Sequence, residues 1–582
     1  MNMTASAARP WTAFYAPGMR AELDGPPFHA LGEMCAAAAR AYGRATAFTC
    51  VMPNGMHGNL SFEDVDRLSD AFAAWLREAA GCRPGDRVAL QAPNGLSFPV
   101  VAFGTLKAGC VLVNVNPLYS SEEMGRTFAD AEPTVLVVVD MFADKLPEAF
   151  RSYAVPNVVL TRAAEFFPPM VRTVIGLVQK HWNRQIPTVP VPHIRLDRAV
   201  RLGEQALREK RIQVASYGAG LGPSSLAVLQ YTGGTTGVSK GAMLTHGNIL
   251  MNVAQTMEMV GQNIARGEET VLTALPLYHI FAFTVNFLGF WWLGARNVLI
   301  PNPRPLSNLR RAFDNHRITW MTGVNTLFNG LCNEAWFADS PPRHLKASAA
   351  GGMALQGAVA ERWETVTRSP VIEGYGLTET SPVVSFNPFG RAKRETIGIP
   401  VPSTDVACLD DRGNPVPQGQ PGELAVKGPQ VMAGYWRRPD ETEKVLADGW
   451  LRTGDIATVD EDGYIRIVDR KKDMILVSGF NVFPNEVEEA IVRHPGVVEA
   501  AVVGVPDGAS GEAVQAFVVR RDPNVTEADV RRFCREHMAA YKVPRTVVFR
   551  DELPKSNVGK ILRKDLRAEA RPGPAAGGPA GG

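Results

Sequence analysis

Helical repeats and short apolar runs alternate through the first half of the chain. Leu68–Ala79 repeats apolar residues at helical spacing, Arg87–Gln91 follows Pro84-Gly85-Asp86 as a short strand, and Pro99–Ala108 is helical again. Val111–Val115, Val135–Val139 and Val158–Thr161 read as buried strands. This alternation predicts parallel sheets covered by helices. After about residue 395 the texture changes to the short strands Val406–Leu409, Gly422–Lys427, Ile456–Val459 and Tyr464–Val468, with turn signals between them. They predict an antiparallel, barrel-like piece. From Lys471 onward, strands at Met474–Val477, Ala500–Val505 and Ala516–Val519 interleave with helices at Pro484–Arg493 and Glu527–Met538, a small α+β unit.

One stretch stands apart. Val271–Ala295 has no Lys, Arg, Asp or Glu over 25 residues, long enough to span a bilayer. Pro276, His279 and Asn286 interrupt it, so Phe281–Leu293 is expected as a buried helix instead. The chain has 582 residues, 45% hydrophobic and 21% charged, which predicts an ordinary soluble protein of at least two domains. A net charge of +2 gives no field that would gather nucleic acid. Seven scattered cysteines without a C-x-x-C pair predict a reducing compartment, with no disulfide framework and no zinc site. The first residues lack the apolar core of a secretory signal, and the Pro/Ala/Gly tail from Arg571 is expected to be disordered.

Candidate chemistry begins at residues 231–241, Tyr-Thr-Gly-Gly-Thr-Thr-Gly-Val-Ser-Lys-Gly, after the apolar run Leu226–Leu229. Gly233, Gly234 and Gly237 let backbone N–H groups approach an anion. Thr232, Thr235, Thr236 and Ser239 add hydroxyl donors, and Lys240 adds a charge. That set suits a polyphosphate. A Walker loop is excluded, because Lys240 follows Ser239 and precedes Gly241, and Gly218-Ala-Gly220-Leu-Gly222 misses the dinucleotide spacing. Alone, the loop could be an ordinary Gly/Thr turn.

Five further stretches accompany it: Pro276-Leu-Tyr-His279-Ile-Phe, Glu373-Gly-Tyr-Gly-Leu-Thr-Glu379-Thr, Gly449-Trp-Leu-Arg-Thr-Gly-Asp455, Val468-Asp-Arg470-Lys-Lys-Asp-Met and Pro554-Lys-Ser-Asn-Val-Gly-Lys560. In this order and spacing the chain resembles the adenylate-forming acyl-CoA synthetases, most of all the bacterial long-chain fatty-acid–CoA ligases, from about residue 30 to about 570. The resemblance implies an N-terminal extension over 1–30 and a large domain over 31–470 that combines two helix-covered parallel sheets with the barrel-like piece. A small mobile α+β domain over 471–570, hinged near Lys472, and a tail over 571–582 complete it.

It also implies a reaction. A fatty carboxylate attacks the α-phosphorus of ATP, giving acyl-AMP and pyrophosphate, and the coenzyme A thiol then displaces AMP. Glu379 is implied as the Mg²⁺ ligand, with Thr235 or Thr236 assisting, and Thr378 lies beside the α-phosphate. Glu373, Gly374, Tyr375 and Gly376 line the nucleotide with Tyr375 beside the adenine, and the backbone of Gly351 and Gly352 faces the ring. Asp455 and Arg470 are the implied ribose pair, and Lys560 the cation at the bond being made. Lys472 occupies the hinge position, and Gly479 gives the pantetheine arm a close backbone passage.

His279 falls at the junction of acyl pocket and pantetheine tunnel as a positioning group, and Phe283 where some long-chain members carry an aromatic gate. Thr322, Gly323 and Val324 are expected on the acyl tunnel, with Gly323 opening depth. Read singly, these residues would be a surface glutamate, a turn aspartate, a solvated lysine and a core histidine. Two departures stand out: Gly233 replaces the family's common Ser, and Ser239 its common Pro. Neither removes a charge, so tuned nucleotide affinity is expected.

Phe166–Leu196 has no acid but carries Arg172, Lys180, Arg184 and Arg195, with Met170, Val171, Val174, Ile175, Val178 and Trp182 at helical spacing. Such a helix can lie on an anionic bilayer, or dock on the large domain with its basic face in water. The expected setting is the cytoplasm, at the inner face of the cell membrane, with long-chain fatty acid, ATP and coenzyme A as partners, no nucleic acid, and a homodimer left open. The alternatives are an adenylating ligase of medium-chain or aryl acids, and a catalytically silent fatty-acid-binding protein at the membrane.

Overall fold

The Val135–Val139 strand is buried at every position, as a strand covered on both faces must be. It lies inside a seven-stranded sheet in which Ile194–Arg195, Asn157–Thr161, Val135–Val139, Arg87–Gln91, Val111–Asn114 and Leu226–Thr232 run parallel. Lys240–Thr245 closes that sheet antiparallel. In the computed structural model the described residues are 9–232, 239–478, 480–507, 510–556 and 559–570. Gly233, Gly234, Thr235, Thr236, Gly237, Gly479 and the tail from residue 571 lie outside them.

The nine-stranded second sheet runs Ile399–Pro400, Val383–Phe386, Val371–Gly376, Ala347–Ala350, Trp320–Gly323, Thr270–Thr273, Arg296–Leu299, Thr46–Val51 and His57–Ser61. Its interior pairings are parallel, and hairpin-type antiparallel pairings close both ends. Helices cover both sheets. Phe62–Glu78 begins at a reciprocal cap between Ser61 and Asp64 and buries Val65, Leu68, Phe72, Trp75 and Leu76. Leu196–Lys210 packs close against it at Gly203, where a Cβ would lie 1.8 Å from the Ala71 carbonyl oxygen.

By contact the chain forms two compact units, Met1–Asp405 with Val426–Leu451, and Val406–Ala425 with Arg452–Gly582. The second unit contains most of Asp405–Leu409, Gly422–Lys427, Trp450–Val459 and Ile465–Arg470, of which the last two pair antiparallel. It continues into a mixed sheet of Phe480–Val482, Ile475–Val477, Gly511–Arg520 and Val497–Asp507, with Thr546–Arg550 parallel to Gly511–Arg520. Helices Pro484–Val492 and Glu527–His537 bury Val487, Ile491, Val530 and Cys534 in the core beneath it.

The uncharged stretch Val271–Ala295 breaks into four pieces. Thr270–Thr273 is a strand, a loop follows, Ala282–Gly289 is a wide π-type helix and Phe290–Trp292 a short α-turn. The expected buried helix is there, in widened form, with every residue from Ala282 to Gly289 buried. No helix among the described residues is long and apolar enough to cross a membrane. All seven cysteines are buried free thiols.

Candidate active site

Four parallel strands of the nine-stranded sheet end side by side. Gly323 is in register with Ala350 and Ala350 with Glu373, while Thr270–Thr273 pairs with Trp320–Gly323 on the other flank. Pro276–His279, Val324 and Gly351-Gly352 follow the ends of their strands, and Gly374–Gly376 are the last residues of Val371–Gly376. The structure thus brings four sequence-separated motifs to the carboxyl edge of one sheet, where open α/β sheets bind ligands.

Close backbone approach explains the glycines of this edge. A Cβ at Gly376 would lie 2.0 Å from the Pro382 carbonyl oxygen, and one at Gly374 would lie 2.8 Å from the Phe386 ring, because Val383–Phe386 pairs directly alongside. Gly351 donates its N–H to the Gly323 carbonyl at 3.2 Å, and Gly352 has φ +78°, in the left-handed region that glycine adopts freely. The Glu373 carboxylate accepts the Leu355 N–H at 2.9 Å, and half-buried Tyr375 is opposite Ser385.

Thr378 and Glu379 occupy a short 3₁₀ turn, Thr378–Thr380. Glu379 Oε1 accepts the Tyr435 hydroxyl at 2.7 Å, and its carbonyl accepts the Met432 N–H at 2.8 Å. Burial and the neighbouring Glu379 carboxylate both raise the Tyr435 pKa, so its hydroxyl stays a donor. The Tyr435 ring lies 5.2 Å from the Lys240 ammonium, and its backbone bridges Ala242. Lys240 is ion-paired with Glu441, whose carboxyl is held down to about 2 by hydrogen bonding to Lys240 and Lys444. Thr232 and Lys240 face each other across the hairpin, and Ser239 Oγ donates to the Thr232 carbonyl at 2.6 Å. The phosphate-type loop therefore connects two antiparallel strands, unlike a strand–loop–helix phosphate motif.

Thr322 starts a buried polar chain. Its hydroxyl donates to Asn286 Oδ1 at 3.0 Å, Asn286 donates to Thr273 Oγ1 at 2.9 Å, and Thr273 donates to Asn297 Oδ1 at 2.9 Å. His279 Nδ1 accepts the Phe281 N–H at 3.4 Å. Phe283 is fully buried between Phe98 and Phe287. Gly323 does not open depth as expected: the Phe328 ring, 2.7 Å from where a Cβ would lie, fills the space.

In the second unit Asp455 and Arg470 are direct partners across the antiparallel pair, 3.5 Å apart as an ion pair. Thr453 fixes this turn by donating to the Leu424 carbonyl at 2.8 Å and accepting the Asp455 N–H at 3.1 Å. Lys560 donates its N–H to Ser556 Oγ at 3.1 Å. Burial, then the Arg470 charge, push its ammonium down to about 7, against the pull of Asp455. Burial followed by Arg470 also lowers Lys472.

Beneath them Arg563 donates to Glu488 at 3.0 and 2.7 Å and lies 3.7 Å from Asp473, which also takes Arg567 at 3.1 Å. Asp469 accepts the N–H groups of Arg470 at 2.7 Å and Asn485 at 2.8 Å, and burial pushes its carboxyl up to about 7.

Sequence reasoning missed Tyr435, Glu441 and Arg563. Tyr435 lies 56 positions from Glu379 and Glu441 lies 201 from Lys240, so only the folded chain joins them. Arg563, three residues past Lys560, sat within reach of a motif argument but has the look of a surface cation.

Residues 35–436 match the AMP-binding enzyme family and residues 486–560 its C-terminal domain, so the chain belongs to the AMP-binding enzymes. It is similar to the long-chain-fatty-acid–CoA ligase of Escherichia coli O6:H1, 48% identical over 96% of this chain and 98% of that protein. The fold is similar to that of the anthranilate CoA ligase AuaEII in complex with anthranoyl-AMP, with TM-score 0.81 and 24% identity over 94% of this chain and 98% of that one. ATP-bound MatB from Rhodopseudomonas palustris is similar at TM-score 0.73 and 27% identity, over 92% and 98% of the two chains.

Proposed function

We propose that this protein is an ATP-dependent ligase that activates long-chain fatty acids to their coenzyme A thioesters through an acyl-adenylate. The observation that carries this reading is the 48% likeness to a long-chain-fatty-acid–CoA ligase over nearly the whole of both chains. Glu379, Asp455, Arg470 and Lys560 are all present, which weighs against a silent binding protein.

A carboxylate is a poor acyl donor, since its leaving group would be oxide. In the first step its oxygen bonds to the α-phosphorus and the bond to pyrophosphate breaks. In the second, the thiol sulfur bonds to the acyl carbon, AMP departs on its phosphate oxygen, and the thiol proton is released. Splitting one hard displacement in two is the gain. In this reading Thr232, Ser239 and Lys240, with the loop between them, hold the phosphates, and Thr378 and Lys560 oppose charge developing around the α-phosphorus. Asp455 and Arg470 hold the ribose, Tyr375 and the Gly351-Gly352 backbone the adenine. His279 positions the acyl end.

Glu379 suits Mg²⁺: the Tyr435 hydrogen bond fixes one carboxylate oxygen and leaves the other as a hard donor. When bound, the ion neutralises polyphosphate charge. The small domain turns about Lys472 between the two steps, which removes Lys560 and admits the thiol. The enzyme works in the cytoplasm, at the inner face of the cell membrane.

Pyrophosphate release across fatty acids of rising length, with and without coenzyme A, tests the reading. Each methylene buried in an apolar tunnel is worth about 0.8 kcal/mol, so kcat/KM rises about fourfold per carbon until the tunnel is filled. An optimum on aryl or short acids overturns the long-chain assignment.

A further inference from the structure

Most surface elements of this protein hide their large apolar side chains, but residues 169–184 do the opposite. The helix Pro169–Leu177 continues as one π turn, Val178–Trp182, and of these residues only Ile175 is buried. Met170 is 80% exposed and Trp182 87%, and Val174, Leu177 and Val178 are exposed between them. The other exposed large apolar residues among the described ones, Leu118, Leu202, Leu476, Phe480, Tyr541 and Leu562, are scattered along the chain. Positions 170, 174, 178 and 182 recur every four residues and so run along one side of the rod. Arg172, Lys180, His181 and Arg184 intersperse them, and no acid occurs from Phe166 through Leu196.

We propose that this segment is a docking surface for an anionic phospholipid bilayer, lying in the interface plane with Met170, Val174, Val178 and Trp182 inserted. It rests on the reading of the protein as a peripheral fatty-acid ligase for its purpose, which is to hold the enzyme where its substrate partitions. Charge complementarity selects the occupant. Three permanent cations, of which Arg172 also acts on the buried Glu165, match anionic headgroups, and an apolar stripe ending in tryptophan suits the headgroup boundary. Of the segment's large apolar side chains only Ile175 is buried and Val171 half-buried, so most of its apolar side is not spent on packing. Five apolar and three basic side chains also fall well short of the roughly 20 residues a side that a stable protein interface uses.

Flotation of the full-length protein with vesicles decides it, comparing phosphatidylcholine alone with phosphatidylcholine carrying about 30% phosphatidylglycerol. The wild type should float with the anionic vesicles and be released by about 0.5 M salt, which shortens the Debye length to a few ångströms. Arg172→Glu, Lys180→Glu and Arg184→Glu together should lower partitioning about tenfold or more, and so should Met170→Ser, Val174→Ser and Trp182→Ser together. Wild-type Trp182 emission should shift to the blue on anionic vesicles. AMP formation from a soluble fatty acid without vesicles should be unchanged in both variants, showing that they fold. That vesicle-free rate also reports the ligase reading by itself, so the two proposals can fail separately. Flotation equal in wild type and variants overturns the surface assignment. So does a wild-type dimer that the apolar variant converts to monomer with no change in flotation, which would make the patch a contact between copies.

Discussion

Lys560 is held among cations, and that governs how the first half-reaction responds to pH. Its ordinary lysine pKa is lowered to about 7 by burial and Arg470, so in the free enzyme the ammonium is lost as pH rises through neutrality. In the proposed role, acyl-AMP formation needs the charged form. Its kcat/KM should therefore fall above about pH 7, while the limb on kcat, where substrate anions pull the pKa back up, should lie at higher pH. Lys560→Arg, whose guanidinium does not titrate, should flatten the limb; a limb that survives in this variant contradicts the role. Lys560→Ala should cost the adenylation step about 2.7–4 kcal/mol, the scale of a lost transition-state donor, and largely spare thioester formation from supplied acyl-AMP. Tyr435→Phe removes the hydroxyl that fixes Glu379 and keeps the ring under Lys240. A hydrogen bond to a charged group is worth about 1.5–3 kcal/mol, so kcat/KM for ATP should drop about tenfold to a hundredfold, with the change seen in Mg²⁺ titrations. No change would make Tyr435 a packing residue. The motif residues were legible because they come in contiguous strings. Tyr435 was not, because its meaning lies in partners that only folding supplies.

Among elements, the strand edge that carries Tyr375 is set by glycines that admit a neighbouring strand. Gly376→Ala puts a methyl against a backbone carbonyl that cannot swing away, and should destabilise by about 3 kcal/mol, read as a lowered Tm. Gly351→Ala meets the edge of Phe281 at 3.1 Å and the Gly374 carbonyl at 3.4 Å, an ordinary contact, and should cost about 1 kcal/mol. Equal losses would mean the edge is set otherwise. Fully buried strands were the easiest to read, since Arg87–Gln91 and Val135–Val139 match at both ends. Trp450–Val459 was seen only from Ile456, because Arg452, Thr453, Gly454 and Asp455 break the apolar pattern for the sake of the site. Phe62–Glu78 starts six residues before its apolar repeat was recognised, since its first turn is acidic and its start is set by a cap. The π segment Ala282–Gly289 was legible as apolar but not as widened, a feature without a periodic signature.

At the scale of the whole molecule, the proposed reaction has the small domain turn about Lys472 between half-reactions. Lys472→Pro restricts the backbone there and should slow thioester formation about tenfold or more while leaving acyl-AMP formation near wild type. Parallel loss of both steps would place the pivot elsewhere. The sequence changes texture near 395 and again near 471, whereas contact divides the chain after Asp405, Ala425 and Leu451. The antiparallel strands belong by contact with the unit that follows, although their composition alone does not say so. The most direct test of the central claim is to follow a heavy-oxygen label from the fatty carboxylate through one turnover with ATP and coenzyme A. Attack on the α-phosphorus predicts one labelled oxygen in AMP and none in pyrophosphate. Label in inorganic phosphate with formation of ADP, or unlabelled AMP, would contradict the acyl-adenylate route.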